Sequence, residues 1–181
     1  EFILKKRKEA GTLPFDGAVI KTIVTTEMVR AVAQRYGVET IDVLTGFKFI
    51  GEKIKEFELE KSPDKFIFGL EESYGYLKGS YARDKDAVVA SMLVTELAAE
   101  LKTQGKTLYD GLIDLYEKYG YFLEALETKT FEGIEGIEKI RAIMKKFRTQ
   151  SLPLDVEKKL DYSLGIDNLP QSDVLKYFLK D

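Results

Sequence analysis

The sequence predicts an α/β protein: a three-layer α/β/α domain around a mostly parallel, mixed sheet, followed by a short C-terminal segment that opens a further domain. Short runs rich in β-branched and aromatic residues alternate with longer stretches of helical hydrophobic spacing. Strands that alternate with helices pair in parallel and carry helices on both faces. Composition then shifts after Arg148, where Pro153, Gly165 and Pro170 punctuate short, mixed segments. The expected division is therefore residues 1–148 for the α/β/α domain and 149–181 for a linker and the start of the next.

Phe2, Ile3 and Leu4 followed by basic residues read as the tail of a helix, ended by Gly11. After a turn at Pro14 to Gly17, Ala18 to Val24 is the first strand signal. Thr25 or Thr26 is placed to cap a helix running through Tyr36, which Gly37 ends. Glu39 to Val43 repeats the strand signal, and Phe47, Ile50, Ile54 and Phe57 give the next helix its apolar face. Lys65 to Gly69 is the third strand, followed by a polar, glycine-bearing loop from Leu70 to Arg83. A long helix is expected from about Asp84 to Thr103, with Ala90, Leu93, Val94, Leu97 and Leu101 on one face. Thr107 caps a further helix that stops at Gly120. Tyr121 to Phe131 has the aromatic and threonine content of an edge strand, and Ile134 to Phe147 reads as a closing helix. Ser172 to Phe178 fits a short capped helix near the end of the chain, which reads as a domain cut short, just as its first residues read as starting inside an element.

Composition narrows the chemistry. Hydrophobic residues make up 44% and charged residues 33% of the 181 residues, so neither disorder nor a membrane span is indicated. The formal net charge of -3 argues against nucleic acid as a partner, because binding a phosphate backbone needs a basic surface. Cysteine and histidine are both absent, which removes disulfides, thiolate chemistry, histidine bases and histidine metal sites. Carboxylates, lysines and tyrosines are left for proton transfer. The N-terminal stretch lacks the order of a signal peptide, and a cytoplasmic protein is expected.

Ligands of such folds sit beyond the carboxyl ends of the strands, so the loops there hold the candidate residues. Thr45-Gly46-Phe47-Lys48 combines a glycine that permits close backbone approach with a lysine at a helix N-terminus, suited to a phosphate or a sugar hydroxyl. Gly69 to Tyr76 (GLEESYGY) places Glu71, Glu72 and Ser73 directly after an apolar strand, and carboxylates accept hydrogen bonds from vicinal hydroxyls. Arg83-Asp84-Lys85-Asp86 opens the long helix with a lysine that could donate a proton to a developing oxyanion. Each loop also has a plainer reading: a simple strand-to-helix turn with Lys48 in solvent, a solvated acidic turn, and a helix cap at Asp84. Asp84 and Asp86 also fit, weakly, the Asp-x-Asp pattern of magnesium-dependent phosphatases.

Four stretches in order, VIKTIVTT (19–26), VLTGFKFI (43–50), FGLEESYGY (68–76) and YARDKDAV (81–88), resemble the phosphohexomutase family. The likeness is to its bacterial phosphoglucomutase and phosphomannomutase branch, and it extends over essentially the whole chain. The resemblance implies one part, domain III and the start of domain IV, of a four-domain enzyme that interconverts hexose 1-phosphate and hexose 6-phosphate through a bisphosphate intermediate. A phosphoserine loop, a magnesium-binding Asp-x-Asp-x-Asp-Arg loop and an Arg-Pro-Ser-Gly-Thr phosphate loop belong to the other domains, and none of these motifs occurs in this chain. Mg2+ and a hexose 1,6-bisphosphate activator are accordingly expected of the whole enzyme, with neither bound by this segment and no turnover by it alone. The expected partners are a hexose phosphate and the remaining domains. By the same resemblance Glu71 and Ser73 bind sugar hydroxyls, Lys85 is the general acid/base, and Thr45, Gly46 and Lys48 line the same cleft. Leu70 stands where many relatives have glycine. The competing expectation is a free-standing carbohydrate-binding or scaffold module without catalysis.

Overall fold

A computed structural model describes residues 1–151, 153–166 and 168–180, and the chain divides into two compact units, residues 1–124 and 125–181. The first unit is built on β1 (Ala18–Thr22), all five residues of which are buried. Helices cover both of its faces, so an apolar sequence is required except where a polar group finds partners. Lys21 and Thr22 are those exceptions. β2 (Glu39–Val43) and β3 (Phe66–Glu71) flank β1 in parallel, and β4 (Gly75–Leu77) returns antiparallel on β3. The strand order is β2-β1-β3-β4, a mostly parallel, mixed sheet as the sequence predicts. Thr22 lies opposite Val43 and Lys21 opposite Leu70, so the three parallel strands end at one edge.

The alternation of side chains along β1 sorts the core into two layers. Ala18 and Ile20 face α3 (Phe47–Leu59), whose Phe47, Ile50, Ile54 and Phe57 pack on them together with Val43, Phe66 and Leu77. Val19 and Ile67 face the other way, onto Leu4 of α1 (Phe2–Glu9), Val32 and Ala33 of α2 (Met28–Arg35) and Tyr119 of α5 (Leu108–Tyr119). Met28 N–H donates to the Thr26 hydroxyl at 3.2 Å, although the residue at the cap position of α2 is Glu27. α4 (Ala87–Thr103) starts on Asp86, which accepts from Val89 N–H at 3.0 Å. The apolar stripe expected on α4 lines a cavity of about 760 Å³ bounded also by α1 and α5. Thr107 and Asp110 form a reciprocal capping box at α5, a device that contributes about 1 kcal/mol.

The second unit comprises α6 (Gly133–Thr149) and a hairpin of β5 (Val156–Asp161) and β6 (Leu175–Leu179). Two expectations differ from this structure. Tyr121 to Phe131 forms no strand: no described strand offers it a ladder, and unpaired extended backbone is not a sheet. The stretch expected as a capped helix at 172–178 is instead β6, because Leu-Lys-Tyr-Phe-Leu finds a partner in β5 and strand pairing overrides the cap signal. The compact units divide after Glu124, and α6 falls in the second. Leu152, Asp167 and Asp181, inside the expected C-terminal segment, lie outside the described residues. No described helix is long and apolar enough to cross a membrane.

In the second unit Arg148 Nε donates to Asp161 Oδ2 at 2.8 Å while its other arm reaches Asp173 at 2.7 Å. Burial raises the Asp161 pKa, but the Ser163 hydroxyl and N–H and the Arg148 guanidinium outweigh it, bringing the value down to about 2. A depressed carboxylate stabilises the fold above its unfolded pKa of 3.8, and that contribution is lost as pH falls through about 2. In Arg148→Met the Asp161 titration, followed by its side-chain carboxyl resonance, should move upward towards 3.8.

Candidate functional site

The loops after β1, β2 and β3 emerge at one edge of the sheet, and the carboxylate of Glu71 anchors what gathers there. Glu71 ends β3 opposite Gly75 of β4, and its side chain is only 4% exposed. Lys85 Nζ lies 2.6 Å from Glu71 Oε1, with its own side chain 43% exposed. The Glu71 hydrogen bond, with the fields of Asp84 and Glu72 behind it, raises the Lys85 pKa against the opposing effect of desolvation. Lys85 is therefore an ammonium at neutral pH, equipped to donate a proton rather than to take one. Glu71 Oε2 is buried and has no hydrogen-bond partner among the described residues, and a buried carboxylate oxygen without a donor is costly to maintain.

Gly75 is what allows this contact. A Cβ at that position would stand 2.6 Å from Glu71 Cγ, 2.9 Å from Lys85 Cε and 3.0 Å from the Phe47 ring. Glu71, Lys85 and the start of α3 therefore converge on a single glycine. Gly46, with φ of 122°, makes the bend into α3 that puts Phe47 there. Gly51, one turn further along α3, lets the 80–84 loop pass: a Cβ on it would sit 2.7 Å from the Arg83 carbonyl oxygen.

The remaining predicted residues lie at the same strand edge without joining that contact. Ser73 is exposed in the 72–74 turn between β3 and β4, which Tyr74 closes in the left-handed region at φ of 57°. Thr45 and Lys48 are exposed on either side of the Gly46 bend, and the Lys48 ammonium rests 4.9 Å from the Phe49 ring centroid. Asp84 Oδ1 accepts from Lys85 N–H, and Asp86 is committed to the α4 cap and to the Tyr81 hydroxyl at 2.5 Å. Among the described residues no group of three or more carboxylates is placed to hold a metal ion, and Asp86, engaged by the α4 cap and by Tyr81, is not free for the magnesium-phosphatase reading of Asp84 and Asp86.

Sequence reasoning overlooked a polar cluster beneath the edge. Lys21, with no exposed side-chain surface, donates to the carbonyls of Thr22 and Thr25 at 3.2 and 3.0 Å and pairs with Glu27 and Asp42, each at 3.1 Å. Arg30 bridges the same two carboxylates from outside. Thr22 Oγ1 donates to Glu72 Oε2 at 2.8 Å and lies 2.8 Å from Thr25 Oγ1, which itself reaches Glu72 at 3.3 Å. The signal was present in Ala-Val-Ile-Lys-Thr: a lysine inside a strand otherwise fit for full burial must be neutralised.

Residues 2–119 match the family model described as phosphoglucomutase/phosphomannomutase, alpha/beta/alpha domain III. A phosphoglucomutase of Staphylococcus aureus (strain bovine RF122 / ET3-1) is 44% identical over 131 residues, which are 72% of this chain and 23% of that protein. A phosphoglucomutase of Staphylococcus haemolyticus (strain JCSC1435) is 32% identical over 195 residues, 99% of this chain and 35% of that protein. The chain thus spans a quarter to a third of the length of these relatives. A crystal structure of a Thermus thermophilus protein assigned as a phosphomannomutase superposes with a TM-score of 0.50 at 20% identity, over 66% of this chain and 25% of that one, a likeness of fold. With a domain model matched across the whole sheet and its flanking helices, the chain belongs to the phosphoglucomutase/phosphomannomutase family, of which it carries the α/β/α domain III.

Proposed function

We propose that residues 1–124 are the sugar-recognising part of a cytoplasmic enzyme that interconverts hexose 1-phosphate and hexose 6-phosphate through a bisphosphate intermediate. One observation carries the reading: a buried carboxylate at a parallel-strand end, Glu71, holds a protonated Lys85 with one oxygen and keeps the other without a partner. The exposed Ser73 hydroxyl serves as donor or acceptor to a ring hydroxyl, and a neighbouring ring hydroxyl supplies the donor that the buried Oε2 lacks once the exposed 72–74 turn moves aside to admit it. Contacts to ring hydroxyls suit a substrate that must present either end to the reacting phosphate. The Lys85 ammonium donates to the sugar oxygen as it becomes a leaving group and recovers its proton in the reverse direction. Thr45, Gly46 and Lys48 border the cleft at the next strand end. The phosphoryl donor, the magnesium site and the grip on the substrate phosphate are assigned to the other domains, where Mg2+ would offset the negative charge of the transferring group. This segment alone recognises sugar without transferring phosphate, since positioning and charge stabilisation carry that chemistry.

In the full-length protein Glu71→Gln should lower kcat/KM for glucose 1-phosphate by about 100-fold, while the donor serine is still phosphorylated by the bisphosphate. Wild-type kinetics in that variant would remove Glu71 from the reading.

A further inference from the structure

We infer that Glu72 is a positioning residue for the sugar loop, acting through the hydroxyls of Thr22 and Thr25. The inference rests on the proposed role of Glu71 and Ser73 and extends it to the side chain between them.

Consecutive residues leaving a strand point to opposite sides. Glu71 turns towards Lys85 and Gly75, and Glu72 turns back towards β1, where Thr22 Oγ1 donates to it at 2.8 Å. Thr22 is fully buried and Thr25 nearly so. Both hydroxyls are within reach of Glu72 Oε2, Thr22 at 2.8 Å and Thr25 at 3.3 Å, and they lie 2.8 Å from each other, so the two threonines and the carboxylate form one hydrogen-bonded chain. Lys21 holds the near end of this chain, because its ammonium binds the carbonyls of both threonines. A carboxylate accepting from neutral donors makes a charge-assisted hydrogen bond, stronger than one between neutral groups. The turn carrying Ser73 is thereby tied to the central strand as well as to β4. Without Glu72 the turn retains only the pairing of β3 with β4, a three-residue strand. Glu72 touches no reacting atom, and its effect appears through the placing of Glu71 and Ser73.

The test is made in the full-length protein, with glucose 1-phosphate kinetics and thermal unfolding measured for Glu72→Ala, Glu72→Gln, Thr22→Val, the double variant Glu72→Ala/Thr22→Val, and Glu71→Gln. Glu72→Ala and Thr22→Val should each lower kcat/KM by about 10-fold to 100-fold, mainly through KM, since sub-ångström misplacement of binding groups has effects of that size. The double variant should lose no more than the worse single one, because both cut one connection. Glu72→Gln keeps a carbonyl oxygen that accepts from Thr22 and should stay within about threefold of wild type. A merely structural role would lower the unfolding temperature and leave KM unmoved, which overturns the inference. So does an unchanged Glu72→Ala beside an impaired Glu71→Gln. If Glu71→Gln is itself unimpaired, the sugar-binding role of this loop fails first, and the inference falls with it.

Discussion

Gly75→Val should abolish the proposed mutase activity of the full-length protein, a loss of about 1000-fold or more in kcat/KM, with the fold destabilised by about 2–3 kcal/mol. The backbone is not the reason, since Gly75 is an ordinary strand residue whose conformation any amino acid could adopt. Space is. A single Cβ would enter at 2.6 Å from Glu71 Cγ, 2.9 Å from Lys85 Cε and 3.0 Å from the Phe47 ring, all inside normal contact. Phe47 is locked in the core with Ile50 and Leu77, so it resists displacement. Glu71 and Lys85 must then separate, and the 2.6 Å ion pair is lost. The γ-methyl groups of valine widen the intrusion. Glu71→Gln removes one charge and keeps the shape, whereas Gly75→Val moves two proposed site residues and a core ring together, which is why its effect is larger. Activity and urea unfolding of Gly75→Ala and Gly75→Val check this. An alanine variant with native activity would mean that the convergence on Gly75 is not part of the working site.

How far the sequence discloses such a place depends on the distance over which its physics acts. The first three strands and the helices after them were legible because each is specified locally: Phe47, Ile50, Ile54 and Phe57 repeat at helical spacing, and Thr107 begins a capping box. Glu71, Ser73, Lys85 and the Gly46 bend were legible as chemistry-bearing groups at strand ends, and the family resemblance supplied their expected roles. Four features needed information that no local window holds. β4 is three residues long and exists only because Glu71 lies opposite Gly75 across the turn. Tyr121 to Phe131 has strand composition without a ladder partner among the described strands, and Leu175–Leu179 is a strand because β5 is there to pair with it. β-propensity reports fitness for a pleated surface, and pairing decides whether the surface exists. In the sequence Glu72 stands as half of an acidic pair, yet its partners are two threonines about fifty positions earlier.

Lys21→Met should destabilise the first unit by about 3 kcal/mol, on the order of a 10 °C fall in unfolding temperature. Methionine preserves most of the apolar stem, so the loss isolates the ammonium. That group is wholly buried and makes four contacts, to two carbonyl oxygens and to the carboxylates of Glu27 and Asp42. Removing one partner of a buried pair typically costs about 3–5 kcal/mol, because the charge left behind is uncompensated. Here the lower end applies: Glu27 and Asp42 are 43% and 31% exposed, and Arg30 still bridges them at 3.0 and 2.6 Å. The Thr22 carbonyl keeps the Thr25 N–H at 3.0 Å, whereas no donor other than Lys21 reaches the Thr25 carbonyl among the described residues. Arg30→Met, by contrast, removes a half-exposed guanidinium from the same carboxylates and should cost less than about 1 kcal/mol. The difference between the two variants measures burial rather than charge, since each removes one cation from the same pair of acids. If both cost the same, the Lys21 ammonium is not the internal cation that fixes the end of β1. If Lys21→Met alone is costly, the edge on which Glu71, Glu72 and Ser73 are mounted owes its rigidity to a lysine that no substrate touches.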